Sequence, residues 1–358
     1  MEQANIKKLI SGEKTGFAAV LLRFLLGAAS VGYLIAIDLR NFLYSAGWLK
    51  THSADAVVIG LGNITTGGTG KTPIVIWLCK KMISDYQCAI LTRGYKTSSQ
   101  ETEKLTDEPA IYSESCPEVK VIVNPDRVAG AEEAAIKFGM KVLIMDDGFQ
   151  HRRLARDLDI VAIDATLPFG YGRMLPAGLL REPVSSLKRA GAVVITRCDQ
   201  IAENELSRLE EKLRLINPDM VISMSIHAPA YIKSIDNKEI SLEQLKGKKI
   251  FAFCGIGNPG SFLTTIKTTG AELVGSKIFN DHHHYTEACI ADIFKQAEML
   301  KADLILTTQK DQNKITQPTS SKKEIPLAYI GIEIKFLSGE EKLWGLIEKT
   351  LAGKMPKM

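Results

Sequence analysis

The chain predicts an α/β fold, with a parallel sheet domain built around a glycine-rich loop, a second smaller α/β domain and a separate N-terminal apolar helix. Three observations predict it. Short apolar runs alternate with helical stretches beyond Tyr44, as the buried strands of a parallel sheet do. The run Gly67-Gly68-Thr69-Gly70-Lys71-Thr72-Pro73 sits directly behind the first of those strands. A mostly apolar stretch from Phe17 to Ile37 precedes both.

As a helix, Phe17 to Ile37 would measure about 31 Å, close to the hydrocarbon thickness of a bilayer. Arg23, Gly27, Ser30, Asp38 and Asn41 fall within one stripe of that helix, and such a polar face favours lying in the membrane interface. Lys7, Lys8, Lys14, Arg23, Arg40 and Lys50 surround it, as contact with anionic headgroups would require. A buried core helix is the competing reading. Residues 1–48 are assigned to this segment.

Apolar runs at Ala56 to Ile59, Cys88 to Leu91, Val119 to Val123, Lys141 to Met145, Ile160 to Ile163 and Ala192 to Ile195 read as strands. Helical stretches such as Ile74 to Ile83 and Val128 to Phe138 lie between several of them, and together they make one domain over 49–226. From His227 to Lys248 the pattern loosens into a connector with a short strand at Tyr231-Ile232-Lys233. A second α/β domain, 249–358, takes strands near Ile250 to Phe253, Leu273 to Phe279, Leu304 to Leu306 and Leu327 to Ile330, and a closing helix from Glu340 to Leu351. A chain of 358 residues is long for one core, which agrees with two domains.

The loop carries the chemistry. Glycines let backbone N–H groups turn toward a triphosphate, and the following helix offers its positive end to the anion. Gly67, Gly68, Thr69, Gly70, Lys71 and Thr72 are the nucleotide-binding candidates: Lys71 for the β- and γ-phosphates, Thr72 for Mg²⁺ through its hydroxyl. Thr65 stands where such loops usually begin with Gly. The reading is of a P-loop NTPase-type domain using a nucleoside triphosphate, ATP or GTP, with Mg²⁺. Downstream, the strand ending at Met145 delivers Asp146-Asp147-Gly148-Phe149-Gln150-His151, and an acid at a strand end is what a phosphoryl-transfer site needs to orient the metal.

Composition narrows the partners. The formal net charge of +4 is too small to argue for nucleic acid, and no Lys/Arg-dense stripe appears. Six scattered cysteines without a CxxC pair suit a reducing compartment and argue against a zinc site or a disulfide framework.

The loop Gly67 to Pro73, Arg93-Gly94-Tyr95, Asp146 to His151 and Leu175-Pro176-Ala177-Gly178-Leu179-Leu180-Arg181-Glu182-Pro183 together resemble the tetraacyldisaccharide 4′-kinase family of lipid A biosynthesis. The likeness continues through Gly255 to Pro259 and Asp281-His282-His283. It implies transfer of the γ-phosphate of ATP to a lipid-anchored glucosamine disaccharide 1-phosphate at the cytosolic face of the bacterial inner membrane, with the N-terminal helix on the lipid surface.

The resemblance also implies residue roles. Asp107 matches the acid expected at the attacking hydroxyl, although Thr106 replaces the usual Gly before it. Asp107 and Glu108 equally read as a solvated helix start. His282 is expected to support that acid, with a surface histidine run as the bland alternative. Asp146 and Asp147 complete the catalytic set, with Asp146 and Thr72 at the metal. Arg93, Tyr95, Arg127, His151, Arg173 and Arg181 are the substrate or phosphate candidates, without assignment of which phosphate each meets. Two rivals remain. Thr196-Arg197-Cys198-Asp199 is similar to a guanine-reading segment and suggests a GTPase switch; an assembly ATPase is the other, against which Thr66 stands where those proteins carry Lys.

Overall fold

The computed structural model describes residues 3–94, 107–236, 238–281, 283–315 and 325–354. Along the chain run α1 (Gln3–Ile10), α2 (Phe17–Ser45), β1 (Val57–Gly62), α3 (Lys71–Met82), β2 (Cys88–Thr92), α4 (Asp107–Ser115), β3 (Lys120–Val123), α5 (Arg127–Glu132), β4 (Val142–Asp146) and β5 (Leu158–Asp164). There follow β6 (Ala192–Thr196), α6 (Glu203–Ile216), β7 (Val221–Ser234), β8 (Glu239–Ile240), β9 (Lys249–Cys254), α7 (Pro259–Thr268), β10 (Glu272–Ile278), α8 (Glu287–Met299), β11 (Leu304–Thr308), α9 (Gln309–Gln312), β12 (Leu327–Ser338) and α10 (Glu340–Lys354). The α/β class holds, and the strands of the sheet are almost all parallel.

Two compact units divide the chain: residues 1–101, 112–226 and 336–358 form the first, and 102–111 with 227–335 the second. In the first, strands lie in the order β7-β6-β5-β1-β4-β2-β3. β1, β4, β5 and β6 are buried at every position, which explains why they read as unbroken apolar runs. Alternation still sorts the side chains by face. Leu143 and Met145 join Val58, Ala89 and Leu91 in one cluster. A second cluster gathers Val161, Ile163, Val193 and Ile195 under Leu209 and Leu213 of α6.

The second unit orders β10-β9-β11-β12, with the far part of β7 beside β12 and β8 antiparallel on β7. Its cores hold Ile250, Ala252, Leu304 and Leu306 on one side of the sheet, and Phe251, Phe253 and Ile305 on the other.

Two segments differ from the sequence reading. Much of the stretch read as a connector is strand, because β7 runs unbroken from Val221 through Pro229 to Ser234. The closing helix α10 groups with residues of the first unit. Leu343, Ile347 and Leu351 are buried, Glu340 accepts from Trp77 Nε1 at 3.1 Å, and Trp344 meets the Trp77 ring edge-on.

The apolar helix α2 is built the other way round from the expectation. Most of its polar stripe faces protein: Ser30 and Asn41 turn inward onto the rest of the first unit. Ser30 Oγ donates to the Met174 carbonyl at 3.0 Å and Tyr33 OH to the Arg181 carbonyl at 3.1 Å. Arg40 and Asn41 both donate to the Glu182 carboxylate at 3.2 Å, and Arg23 donates to the Lys14 carbonyl. Tyr33, Leu34 and Ile37 pack against the core cluster under α6. Phe17, Leu21, Phe24, Leu25, Val31, Ile35, Leu39 and Phe42 are left exposed on the outer side. The reason is geometric: the stripe positions fall on one face at helical spacing, and whichever face finds hydrogen-bond partners is the one that docks. Asp38 alone of the stripe is exposed.

Glu182 anchors this docking. Its side chain is wholly buried and is shared by Arg40, Asn41 and Arg189, the last at 2.8 Å. Removing one member of a buried ion-pair network strands the others without a partner and costs about 3–5 kcal/mol. Glu182→Ala should therefore lower the free energy of unfolding by about 3 kcal/mol, measured by urea denaturation in detergent. An unchanged midpoint would show that Arg40 and Arg189 are adequately solvated without it.

Candidate active site

The buried strand β1 ends at Gly62, and residues 63–70 turn from it into α3. Gly70 has a left-handed backbone, φ 85°, and opens the helix at Lys71. Pro73 falls in the first turn, where its missing N–H has no intrahelical partner to lose. Ile74, Leu78 and Met82, four apart, bury one side of α3, and Val75 and Cys79 extend that side. The loop is thus pinned at both ends by core elements.

Two further segments are brought to it. β4 pairs with β1 in register Leu61↔Asp146, so the paired acids emerge at the same sheet edge as the loop. Gly148 N–H then donates to the Leu61 carbonyl at 2.9 Å. Gly62 permits this close crossing: a Cβ there would stand 2.5 Å from Phe149 Cβ and 2.6 Å from its backbone N. The second segment is the stretch before Pro183. Thr66 N–H donates to Leu179 O and Arg181 N–H to Ile64 O, both at 2.8 Å, which lays this stretch against the approach to the loop.

These three segments converge on Asp147. Its carboxylate accepts from Arg181 through Nη1 at 2.9 and 3.1 Å and Nη2 at 3.2 Å, and Lys71 Nζ lies 3.2 Å away. Burial alone would raise the Asp147 pKa, but the charges of Lys71 and Arg181 and their hydrogen bonds outweigh it and hold the carboxyl well below the usual carboxylate range. Asp147 itself has a positive φ of 52°, and its N–H donates to Asp146 Oδ1 at 2.9 Å. Arg181 also reaches Asn63 Oδ1 at 3.3 Å, and Asn63 Nδ2 donates to Thr69 Oγ1 at 3.0 Å. Gln150 Nε2 donates to the Asn63 carbonyl at 2.7 Å.

The remaining candidates are placed as follows. Asp146 is buried at the end of β4. Arg127 is buried too, and donates to the carbonyls of Asn124 at 3.0 Å and Asp146 at 3.2 Å; it holds the strand end from behind. It stands there because Asp126 caps α5, accepting from Val128 and Ala129 N–H. His151 follows the acids, with Nε2 buried and unbonded. Burial, reinforced by the charges of Arg127, Arg156 and Arg153, pushes its pKa down to about 4, so the ring is neutral near pH 7. Arg93 is exposed just beyond β2. Arg173 is exposed beside α2, where with Val20, Arg23, Phe24, Gly27 and Val31 it lines a shallow depression. Thr72 lies in the first turn of α3. Asp107 opens α4 and groups with the second unit, where Glu108 lies 3.7 Å from Lys310. Tyr95 and His282 lie outside the described residues.

The structure therefore gathers Lys71, Asp147 and Arg181 at the loop, with Asp146 adjacent. It adds Asn63, Gln150, Asp164, Thr196 and Arg197, which the sequence reading did not place in the site. Thr196 and Arg197 had drawn notice only as a guanine reader. Their side chains are instead turned to the loop: Thr196 Oγ1 donates to Thr69 O and Arg197 Nη2 to Gly68 O, both at 2.9 Å. Asn63 carried a signal in its position, as the first residue after the strand that feeds the loop.

A glycine-rich loop between a buried parallel strand and a helix, with a lysine at the helix start and paired acids on the neighbouring strand, defines a P-loop protein of the phosphotransferase kind. The family model of the tetraacyldisaccharide-1-P 4′-kinases matches residues 22–352, and the chain belongs to that family. Among its relatives, the tetraacyldisaccharide 4′-kinase of Halothermothrix orenii is 35% identical over 98% of both chains. That of Elusimicrobium minutum is 35% identical, over 87% of this chain and 88% of its own. A crystal structure of LpxK from Aquifex aeolicus in complex with ATP superposes with a TM-score of 0.68 at 29% identity, covering 92% of this chain and 99% of that one. The resemblance carried by the sequence motifs is thereby borne out.

The low pKa of His151 has a thermodynamic consequence. An unfolded histidine titrates near 6.5, so between about pH 6.5 and pH 4 the unfolded chain binds a proton that the folded one refuses. Stability contributed by the neutral ring is complete above pH 6.5 and is lost as pH falls through that window. His151→Gln should therefore show a shallower fall of the unfolding midpoint between pH 6.5 and 4 than the parent. Parallel curves would mean that His151 protonates as readily folded as unfolded.

Proposed function

We propose that this protein transfers the γ-phosphate of ATP to the 4′ hydroxyl of a tetraacylated glucosamine disaccharide 1-phosphate, at the cytosolic face of the bacterial inner membrane. The observation that carries the reading is the convergence of Lys71 and Arg181 on one carboxylate beside the glycine-rich loop. Two cations held within hydrogen-bond reach of an anion, next to the N-terminus of a helix, make a site for phosphoryl oxygens. Gly67, Gly68, Thr69 and Gly70 supply backbone donors, and Lys71 meets the β- and γ-phosphates. Membership of the family supports ATP as the donor.

Thr72 and Asp146 would hold Mg²⁺. A hydroxyl and a carboxylate are hard oxygen donors, and Mg²⁺ bound with a nucleotide needs only one or two such protein ligands among waters and phosphates. When bound, the ion neutralises charge on the phosphoryl oxygens. Among the described residues no cluster of three or more His, Cys, Asp or Glu side chains forms a metal cage.

In the reaction the 4′ oxygen forms a bond to the γ-phosphorus, the bond from that phosphorus to the β-bridging oxygen breaks, and the hydroxyl proton passes to a base. Asp107 is the base on this reading, supported by His282; both roles rest on the family resemblance. Arg93, Tyr95, Arg173 and His151 are assigned to the lipid headgroup or phosphates on the same ground. Arg181 serves the phosphates directly, and Arg127 serves through the Asp146 strand end that it holds.

The outer face of α2 is the membrane-binding surface of this reading, and α2 is long and apolar enough to cross a bilayer by length and composition. With its inner face docked on the first unit, we assign it to lie along the lipid surface. Burying one such large apolar side chain is worth about 1.5–3 kcal/mol. Replacing Phe24, Leu25 and Ile35 together by Ser should weaken binding to anionic phospholipid vesicles by about a hundredfold or more. Co-sedimentation equal to the parent would transfer the membrane contact to another surface. This variant is preferable to deletion of residues 1–45, which would uncover the core against which Tyr33, Leu34 and Ile37 pack.

The function itself is tested by transfer of labelled γ-phosphate from ATP to purified lipid A disaccharide 1-phosphate in detergent micelles. The parent should label the lipid, and Lys71→Ala should lower turnover by about a thousandfold or more with an unchanged circular dichroism spectrum. No labelled lipid from the parent, or full activity in the variant, would refute the reading.

A further inference from the structure

Phosphate loops bind through N–H groups, so something must hold the opposite side of each peptide. In a planar trans peptide the C=O and N–H point in opposite directions. A donor that grips the Gly68 carbonyl therefore sets the orientation of the Thr69 N–H, and one that grips the Thr69 carbonyl sets that of Gly70. Both grips exist. Arg197 Nη2 donates to Gly68 O at 2.9 Å, and Thr196 Oγ1 donates to Thr69 O at 2.9 Å. The Thr69 N–H closes a tight turn onto Gly67 O at 3.1 Å, and the grip on the Gly68 carbonyl holds that turn in place.

The gripping side chains are themselves built in. Asp164 ends β5 and Thr196 ends β6, in register with one another, and β5 pairs with β1. The three strand ends share the sheet edge from which the loop departs. Thr196 is completely buried, Arg197 is 6% exposed and Asp164 7% exposed. Asp164 is well provided with donors: Oδ1 accepts from Thr166 N–H at 3.0 Å and Thr166 Oγ1 at 2.7 Å, and Oδ2 from Arg197 Nη1. Arg197 also holds a left-handed backbone, φ 58°, a conformation that a residue with a Cβ adopts at a cost. A buried ion pair is a weak source of stability, and a strained backbone is none. The arrangement calls for a role beyond stability.

We infer that Thr196 and Arg197, with Asp164 aiming the guanidinium, form a backbone clamp that fixes the phosphate loop in its anion-binding shape. They are positioning residues for the nucleotide. The same commitment removes Arg197 from reading a base, which is the role a switch GTPase would have required of this segment. The inference rests on the proposed function only in taking the triphosphate of ATP as the occupant of the loop.

The test is equilibrium binding of ATP with Mg²⁺ to the full chain in detergent, beside the thermal midpoint of the nucleotide-free protein. Thr196→Val keeps shape and removes the donor. Arg197→Lys keeps a charge for Asp164 but has no planar fork to serve two acceptors at once. Each should raise the Kd for ATP about tenfold, a loss in the range of one hydrogen bond. In the transfer assay the KM for ATP should rise while that for the lipid stays. The nucleotide-free midpoint should move by less than about 4 °C, and Thr196→Ser, which restores the hydroxyl, should bind ATP as the parent does. Parent-like affinity in the Val variant, or equal loss in the Ser and Val variants, would overturn the clamp; should the Lys variant fail to fold, the Ser and Val pair decides alone. A parent that binds ATP but phosphorylates no lipid would sink the proposed function and leave the clamp standing. A parent that binds no ATP would sink both.

Discussion

Two adjacent residues, Arg181 and Glu182, tie the phosphate site to the apolar helix, and the first unit is organised around that junction. The Arg181 guanidinium reaches forward to Asp147 and Asn63, while its carbonyl accepts from Tyr33 of α2. Glu182 turns the other way, into a wholly buried position between Arg40, Asn41 and Arg189. Arg189 in turn lies over the Phe149 ring, the same residue whose backbone crosses Gly62. A buried carboxylate must be met by donors from several directions, so it fixes the relative placement of everything that meets it. Helix, phosphate loop and acid-bearing turn are therefore not independent decorations on a sheet.

The electrostatics at the loop follow from the same junction. Lys71 and Arg181 approach a common point, and bringing two cations together is unfavourable without an anion between them. Asp147 is that anion. Its pairing keeps it ionised across the range in which proteins fold, so the cations stay aimed at the loop's mouth. On the proposed reading, a nucleotide's phosphates compete with this carboxylate for the same donors. Binding then exchanges one set of charge-assisted hydrogen bonds for another, and the lysine and arginine need not reorganise from solvent.

Much of this was legible in the residues. Strands buried on both faces announce themselves by composition alone, and a loop of glycines before Lys-Thr has few other uses. What could not be read was direction. The stripe Arg23, Gly27, Ser30, Asp38, Asn41 is the same stripe whether it faces headgroups or protein; only the Met174 carbonyl and the carboxylate of Glu182, far away in sequence, turn Ser30 and Asn41 inward. Arg127 looked like a phosphate ligand because arginine so often is one, yet Asp126 caps α5 and sends it to main-chain carbonyls. Ala228-Pro229 made the chain from His227 to Lys248 look like a connector, with only a short strand at Tyr231-Ile232-Lys233. β7 pairs with β6 as far as Met224 and with β8 at Ile232 and Lys233, so the proline falls between those registers and interrupts neither.

The inversion of α2 bears on how a kinase could work on a lipid that never leaves its membrane. A helix held to its protein by hydrogen bonds and ion pairs, with large apolar side chains outward, leaves its stability only partly dependent on lipid. On the proposed reading its outer face gains from lipid what a soluble helix gains from a core. The stretch that receives its polar face, from Met174 to Glu182, is the stretch that delivers Arg181 to the phosphate loop. On the proposed reading, lipid surface and phosphate site are therefore separated by one layer of chain. A headgroup could then be phosphorylated while its acyl chains stay in the bilayer, and no energy need be spent on extracting them.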